Sequence, residues 1–398
     1  MTYDRRLVGW LSLGQLISWG SVFYGFSLLL APVELELGLS RTESSLAFSL
    51  AMLAEGLLAY PVGRWIDRGH ERIVMTGGSL LIAACLALHS QVHSLWAYYA
   101  VWIGLGAALS ATLYTPAFAV VTRRFPTDFR RAIITLTFLG GLASTVFIPL
   151  TAWLIQLLGW RDALWVLAAL HLLLCAPLHA WILRDAPAHA LAAHAGNGAA
   201  AAMPAAAPLA RYLRSPAFLL IGAFMVLLMS VTAALPPHMV SLLRESGLDE
   251  AWAIALPASI GVMQVLGRVL LYFFEHRFDL HLANRLIPCL IPVGLAMLLA
   301  GGHHAGAALA FVVLYGMGNG MLTIVKGTAI AQYVTRDHVA SLNGALGLPT
   351  ALARAFAPLM LGMLWSREAG YALGLWVLLG ISVMAVLALL LAQRRALP

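Results

Sequence analysis

Apolar residues run along this chain in long unbroken stretches separated by short polar connections. Twelve such stretches cover residues 7–31, 43–63, 72–90, 95–121, 131–157, 162–183, 215–236, 250–274, 284–301, 306–333, 341–365 and 370–393. Each is close to the roughly 20 residues that a helix needs to cross the hydrocarbon of a bilayer. The stretches are continuous rather than alternating, which favours helices over the strands of a closed barrel. The pattern predicts an all-α membrane protein with twelve transmembrane helices, numbered here as spans 1 to 12.

Composition supports that reading. Of 398 residues, 61% are hydrophobic and only 10% are charged, too little charge to cover a water-soluble protein of this size. The formal charge of +7 is spread over short loops, so it speaks of topology and not of nucleic acid. Seventeen of the 24 basic residues lie in the N-terminal head and the even-numbered connections, while four, Arg41, Arg161, Arg244 and Arg367, lie in odd ones. This asymmetry places both termini in the cytoplasm, and a monomer in the cytoplasmic membrane of a bacterium is expected. The apolar run after Met1–Arg6 is longer than a signal-peptide core and lacks a small-residue cleavage site, so no cleavable signal is expected. Cys85, Cys175 and Cys289 show no CxxC or Cys–His spacing, which argues against a disulfide or metal role. His303 and His304 are adjacent but lack a further ligand, so no metal or cofactor is expected.

The longest connection, 185–214, includes AGNGAAAAMPAAAP and reads as a flexible cytoplasmic linker. It separates an N-terminal six-helix bundle, 1–184, from a C-terminal one, 215–398. The halves read as repeats. Gly38 precedes Gly247 by 209 positions, Pro149 precedes Pro358 by 209, and Gly63 precedes Tyr272 by 209. A shared offset of half the chain implies two pseudo-symmetric parallel bundles, a design that holds substrate near the midplane between its halves.

The connection after span 2 reads Gly63-Arg-Trp-Ile-Asp67-Arg68-Gly-His-Glu-Arg72. Glycine allows close helix approach, Asp67 suits a neighbouring helix N-terminus, and Arg68 and Arg72 hold the loop at the cytoplasmic face. With this motif the chain resembles the major facilitator superfamily over nearly its whole length. The resemblance implies that Gly63, Asp67, Arg68 and Arg72 form a cytoplasmic gate. The second copy, Tyr272-Phe-Phe-Glu-His276-Arg277, lacks the glycine and the aspartate. A narrower resemblance is to the monocarboxylate transporters and oxalate–formate antiporters. It rests on Tyr24-Gly-Phe-Ser, Pro32 and Glu36-Leu-Gly-Leu-Ser-Arg-Thr-Glu43, and on Gln264-x-x-x-Arg268 in span 8. It implies that Arg268 is a substrate-binding arginine, with Arg354 in span 11 as a looser match. Gln264 stands where that family has an acid, and the family's span-1 lysine has no counterpart here.

Charged groups inside the spans point to the cargo. Lys326 is the only lysine, and with Arg268 and Arg354 it lies within apolar stretches where Glu55 is the only acid. Cations at such depth are costly, at roughly 2.5–3.5 kcal/mol each on insertion scales, unless they face water, a partner or a ligand. Arginine offers a planar fork that matches a carboxylate, and lysine a point charge that titrates more readily. Snorkelling to the interface or structural pairing is the competing reading for each. Glu55 either carries a coupling proton or neutralises a cation such as Arg354; its repeat counterpart is Gln264. Asn319 and Thr323 share a face of span 10 with Lys326. Gln15, Ser18, Trp19 and Tyr24 in span 1, with Tyr114 and Thr115 in span 4, line a cavity or fill the bundle. The expected function is secondary transport of a small organic anion, a mono- or dicarboxylate, with a coupled proton or by anion exchange. Drug or metabolite efflux, faintly suggested by Gly140-Gly-Leu-Ala-Ser-Thr-Val-Phe-Ile-Pro149, and a non-transporting membrane sensor are the alternatives. No nucleophile–base pair suggests an enzyme.

Overall fold

The computed structural model describes residues 4–125, 129–184, 209–274, 280–301, 304–335 and 339–396. Among them are twelve helices long and apolar enough to cross a membrane: Arg5–Leu37, Arg41–Trp65, Arg68–His89, Leu95–Arg124, Ala132–Leu158, Trp160–Ile182, Pro216–Glu245, Glu250–Leu271, Asn284–Gly301, Ala305–Thr323, Leu342–Met363 and Ala372–Arg395. They reproduce the twelve expected spans. The helix of span 10 continues to Tyr333. The described residues contain no strand beyond an isolated bridge between Ser366 and Gly370.

Local chemistry sets the helix ends. The Asp4 carboxylate accepts from the N–H groups of Arg6 and Leu7 and opens span 1. Ser40 and Glu43 form a reciprocal capping box at the start of span 2. Such caps satisfy donors that the first helical turn leaves without partners. Span 1 ends at Gly38 with φ 66°, and Gly247, 209 positions later, has φ 83°. Both occupy the left-handed region that glycine enters without a Cβ penalty.

The spans are less regular than the hydropathy pattern suggests. Trp19–Tyr24 in span 1 and His171–Cys175 in span 6 are π-helical. Span 4 breaks at Leu113, where ψ is −162°, and span 5 at Leu142. A π-turn adds a residue to the helix and rotates the following side chains onto a new face.

Cα proximity divides the chain into two compact units, Met1–Gly196 with Pro236–Ser241, and Asn197–Leu235 with Leu242–Pro398. Residues 185–208 of the expected linker lie outside the described residues. Within the first unit, spans 2 and 3 both pack against span 4; within the second, spans 8 and 9 both pack against span 10. Glycine permits the closest approaches. A Cβ on Gly106 would fall 2.1 Å from the Ala51 carbonyl oxygen, and one on Gly320 would fall 2.2 Å from that of Gln264. Without a hydrophobic effect between helices in lipid, such backbone contact is a main source of association. Phe26 meets Phe48 at 4.7 Å and Trp102 at 4.8 Å in the core of the first unit.

The repeat extends to polar contacts near the span ends. Trp160 Nε1 donates to Glu36 at 2.6 Å, and Trp365 Nε1 donates to Glu245 at 2.7 Å. Glu36 and Glu245 are 209 positions apart. Arg41 pairs with Glu34 at 2.8 Å in the first unit, and Glu250 with Arg244 at 2.6 Å in the second. Arg41 and Glu250 are also 209 apart, so the same connection is clamped in both units with the signs exchanged.

Candidate functional site

The second unit brings the three intramembrane cations together. Lys326 lies within electrostatic reach of Arg354 and Arg268. They come from three different helices, spans 10, 11 and 8, and the sequence alone did not show that they share a neighbourhood. Arg268 Nε donates to the Gly320 carbonyl at 3.3 Å. That contact exists because Gly320 lies on the backbone of Gln264 and Gly267 on that of Met317, where an added Cβ would be 2.7 Å from the carbonyl oxygen. Thr323 Oγ1 donates to the same Gly320 oxygen at 2.8 Å. Lys326 Nζ donates to the Met229 thioether in span 7 at 3.1 Å, a weak acceptor for an ammonium. Arg268, Lys326 and Arg354 are all partly exposed.

Gln264, one turn before Arg268, is buried, as is its repeat counterpart Glu55 in span 2 of the first unit. The two equivalent positions therefore hold an acid in one unit and an amide in the other. Asn319 is half-buried and Thr323 exposed on span 10.

The aromatic and polar candidates of the first unit form their own cluster. Tyr114, the first residue after the span-4 break, meets Trp19 at 5.1 Å and stacks on Phe118 at 5.3 Å. Tyr24 closes the π-helical turn and meets Phe23 edge-on at 5.3 Å. Gln15 Nε2 donates to the Thr112 carbonyl at 2.6 Å. Gln15 Oε1, Ser18 Oγ and Trp19 Nε1 are buried without a hydrogen-bond partner among the described residues. Thr115 is exposed.

The loop motif divides into parts. Arg68 and Arg72 are exposed. Asp67 lies in the turn Ile66–His70, and its side chain is outside the described residues. The close approach expected at Gly63 is not found: an added Cβ there would meet nothing within 4 Å, whereas Gly69 has φ 90° and is the glycine the turn requires. The ionic centre of this face is Glu71, which hydropathy and motif reading passed over. It is fully buried, accepts from Arg123 at 3.0 Å, and is also bonded by Arg124 Nε. Arg123 further donates to the Ile66 carbonyl, and Arg124 to that of Arg184 at 3.2 Å. The weakened second copy, residues 275–277, lies outside the described residues, as does His303.

Sequence reading also missed two buried histidines in span 6. His171 bonds Ser21 Oγ at 2.8 Å, and His179 bonds Ser79 Oγ at 2.9 Å. Cys175 lies between them, yet no group of three metal-ligating residues forms among the described residues. Histidine in an apolar run reads equally as core or as ligand, so only the Ser partners distinguish it.

Twelve apolar spans, two internally repeated units and three partly exposed cations within the spans of one unit define a multi-pass secondary transporter. The chain belongs to the Major Facilitator Superfamily, whose family profile matches residues 11–286. Monocarboxylate transporter 13 of Rattus norvegicus is 28% identical over 308 residues, covering 73% of this chain and 68% of that protein. The Bos taurus protein of the same name is 29% identical over 309 residues, with the same coverage. Among solved structures, a bacterial homologue of the human lysosomal transporter Spinster aligns with a TM-score of 0.74 at 15% identity, covering 99% of this chain and 98% of that one. A variant of the nucleoside transporter NupG also aligns at 0.74, with 16% identity and coverage of 97% and 99%. A bacterial homologue of the human drug peptide transporters PepT1 and PepT2 aligns at 0.73, with 12% identity and coverage of 98% and 97%. Their differing cargoes make these likenesses a statement of fold alone.

Proposed function

We propose that this protein moves a small organic anion, a mono- or dicarboxylate, across the cytoplasmic membrane of a bacterium by alternating access, with both termini in the cytoplasm. Arg268 and Arg354 bind the carboxylate, and Lys326 completes the positive field. The observation that carries this reading is that spans 8, 10 and 11 of one unit bring Arg268 and Arg354 within electrostatic reach of Lys326. Three cations on facing helices attract anions and repel free cations, and the guanidinium fork matches a carboxylate. The similarity to two monocarboxylate transporters supports the same cargo class. Gln264 and Asn319 act as polar neighbours of the site, and Gly63, Asp67, Arg68 and Arg72 as the cytoplasmic gate.

The test is uptake of radiolabelled formate, lactate, oxalate and succinate by vesicles containing the purified protein. The expected result is saturable flux of at least one, competed by the others, with Arg268→Ala raising the half-saturation concentration roughly 30-fold. That factor corresponds to the ~2 kcal/mol lower limit for truncating one partner of a buried charge contact, at about 1.4 kcal/mol per tenfold. Absence of flux for all four acids, or unchanged flux and affinity in Arg268→Ala, overturns the proposal.

A further inference from the structure

In the first unit the guanidinium of Arg161 ties the ends of spans 1 and 3 to the start of span 6. It pairs with Glu36 at 2.7 Å, donates to the Val92 carbonyl at 2.8 Å and to that of Ser90, and its Cζ lies 4.3 Å from the centre of the Trp160 ring. Ser90 closes the helix of span 3, where the last carbonyls have no partner inside the helix. Glu245, Leu299 and Gly370 stand 209 positions after Glu36, Ser90 and Arg161. All three line one cavity of about 650 Å³ in the second unit, together with Ala300 and Trp365. Trp365 donates to Glu245 as Trp160 does to Glu36. Position 370 also faces the carboxylate, since a Cβ on Gly370 would lie 3.5 Å from Glu245 Oε2. Acid, indole and span end are thus kept, while the side chain that joins them in the first unit is reduced to a hydrogen. Gly370 has φ 53°, a backbone that disfavours any larger residue.

We infer that this cavity binds an organic cation with N–H donors, a guanidinium or a primary ammonium, in the place that Arg161 fills in the first unit. The Glu245 carboxylate accepts charge-assisted bonds from such a group. The carbonyl end of span 9, at Leu299 and Ala300, carries the negative pole of its helix. The Trp365 indole is the counterpart of the ring that Arg161 covers, and cations are attracted to such rings. Other charges leave this field negative. Arg367 and Glu368, exposed on the same wall, are opposite in sign, and Arg244 is engaged by Glu250 at 2.6 Å. The connection from span 11 to span 12 covers residues 364–371, where Gly159 alone joins spans 5 and 6, so there is room for a cation carried on a larger body. Once bound, the cation ties the ends of spans 7 and 9 to that connection. None of Arg268, Lys326 and Arg354 lines the cavity, so the inference stands apart from the anion reading. Two sources present such a group at a membrane face: a soluble amine or guanidine, and the ethanolamine headgroup of a phospholipid.

The test is calorimetric titration of the full-length protein in detergent with propylguanidinium, the arginine side chain without its backbone. One ion is expected to bind per wild-type chain, and tetramethylammonium, a cation without N–H donors, to bind at least tenfold more weakly. Glu245→Gln, which keeps an acceptor for Trp365, weakens propylguanidinium binding at least tenfold, while Glu36→Gln leaves it at wild-type strength. Arg161→Ala opens the matching set of groups in the first unit and raises the stoichiometry from one to two. Titration in nanodiscs separates the sources. An affinity at least tenfold lower in phosphatidylethanolamine than in phosphatidylcholine identifies the lipid headgroup as the competing occupant, and equal affinities identify a soluble cation. Wild-type binding in Glu245→Gln overturns the proposal, as does the lack of saturable binding to the wild type in both detergent and phosphatidylcholine. Where Glu245→Gln does not fold, Arg161→Ala decides, because a stoichiometry that stays at one refutes the equivalence of the two sites.

Discussion

Arg268 Nε donates to the carbonyl oxygen of Gly320 at 3.3 Å, across the closest approach of spans 8 and 10. The arginine that the anion reading depends on is thus aimed by a glycine. A Cβ at position 320 would fall 2.2 Å from the Gln264 carbonyl oxygen and 2.8 Å from its carbonyl carbon and Cα. Backbone cannot rotate aside, so Gly320→Ala must separate the two helices. The expected loss is about 1–3 kcal/mol, the usual range for overpacking, read as a lower midpoint in thermal unfolding of the detergent-purified protein. Gly306, where an added Cβ meets nothing within 4 Å, supplies the control. Equal midpoints for Gly320→Ala and Gly306→Ala would sink this account of the span 8–10 contact.

Arg268→Lys keeps the charge and removes the planar fork. If the guanidinium binds the carboxylate through two parallel bonds, the lysine variant behaves closer to Arg268→Ala than to wild type in half-saturation concentration. If charge alone matters, it behaves like wild type. Vesicle uptake at several substrate concentrations separates these outcomes, and wild-type affinity in Arg268→Lys removes bidentate binding from the mechanism.

Glu71 is buried between Arg123 and Arg124, with N–O distances of 3.0 and 2.5 Å. Removing the acid leaves two poorly exposed guanidinium groups facing each other. Glu71→Ala is expected to cost about 3–5 kcal/mol, typical of a buried pair broken from one side, and to lower the yield of folded protein. Exposed Arg68→Ala is expected to leave the unfolding midpoint nearly unchanged, since exposed charges contribute about 0–1 kcal/mol. Thermal unfolding of the two variants side by side tests the contrast. A reversed order of stability would place the ionic centre of this face elsewhere.

What the sequence reveals about this molecule tracks the range of the interaction concerned. Span number and the paired ends at Gly38 and Gly247 are local properties, set by runs of apolar residues and by one backbone conformation that glycine favours. Both were legible, and so was the 209-residue repeat that Glu36 and Glu245 extend to a shared indole contact. Arg268, Lys326 and Arg354 could be singled out because isolated charges stand out in apolar runs. Their proximity could not, because it depends on how spans 8, 10 and 11 pack. The bond from Lys326 to Met229 spans 97 positions, and nothing in the composition of span 7 marks that methionine. Glu71 was hidden for the opposite reason: it lies in a charged loop, where a buried acid and a solvated one look alike.

Ser21 and His171 join the π-helical segments of spans 1 and 6, with Oγ and Nε2 2.8 Å apart in a fully buried setting. Ser21 Oγ also donates to the Ile17 carbonyl at 2.7 Å, so the hydroxyl proton is committed and the imidazole nitrogen is the donor to its oxygen. Ser21→Ala then leaves a buried N–H without its acceptor, which costs about 1–3 kcal/mol. His171→Leu removes both ring nitrogens and the need for that acceptor, so Ser21→Ala made on top of it costs much less. Unfolding midpoints of the two single variants and the double variant form a cycle whose coupling term isolates the bond. Strict additivity would mean that the π-segments are held by their own packing and that the Ser21–His171 contact contributes nothing to their stability.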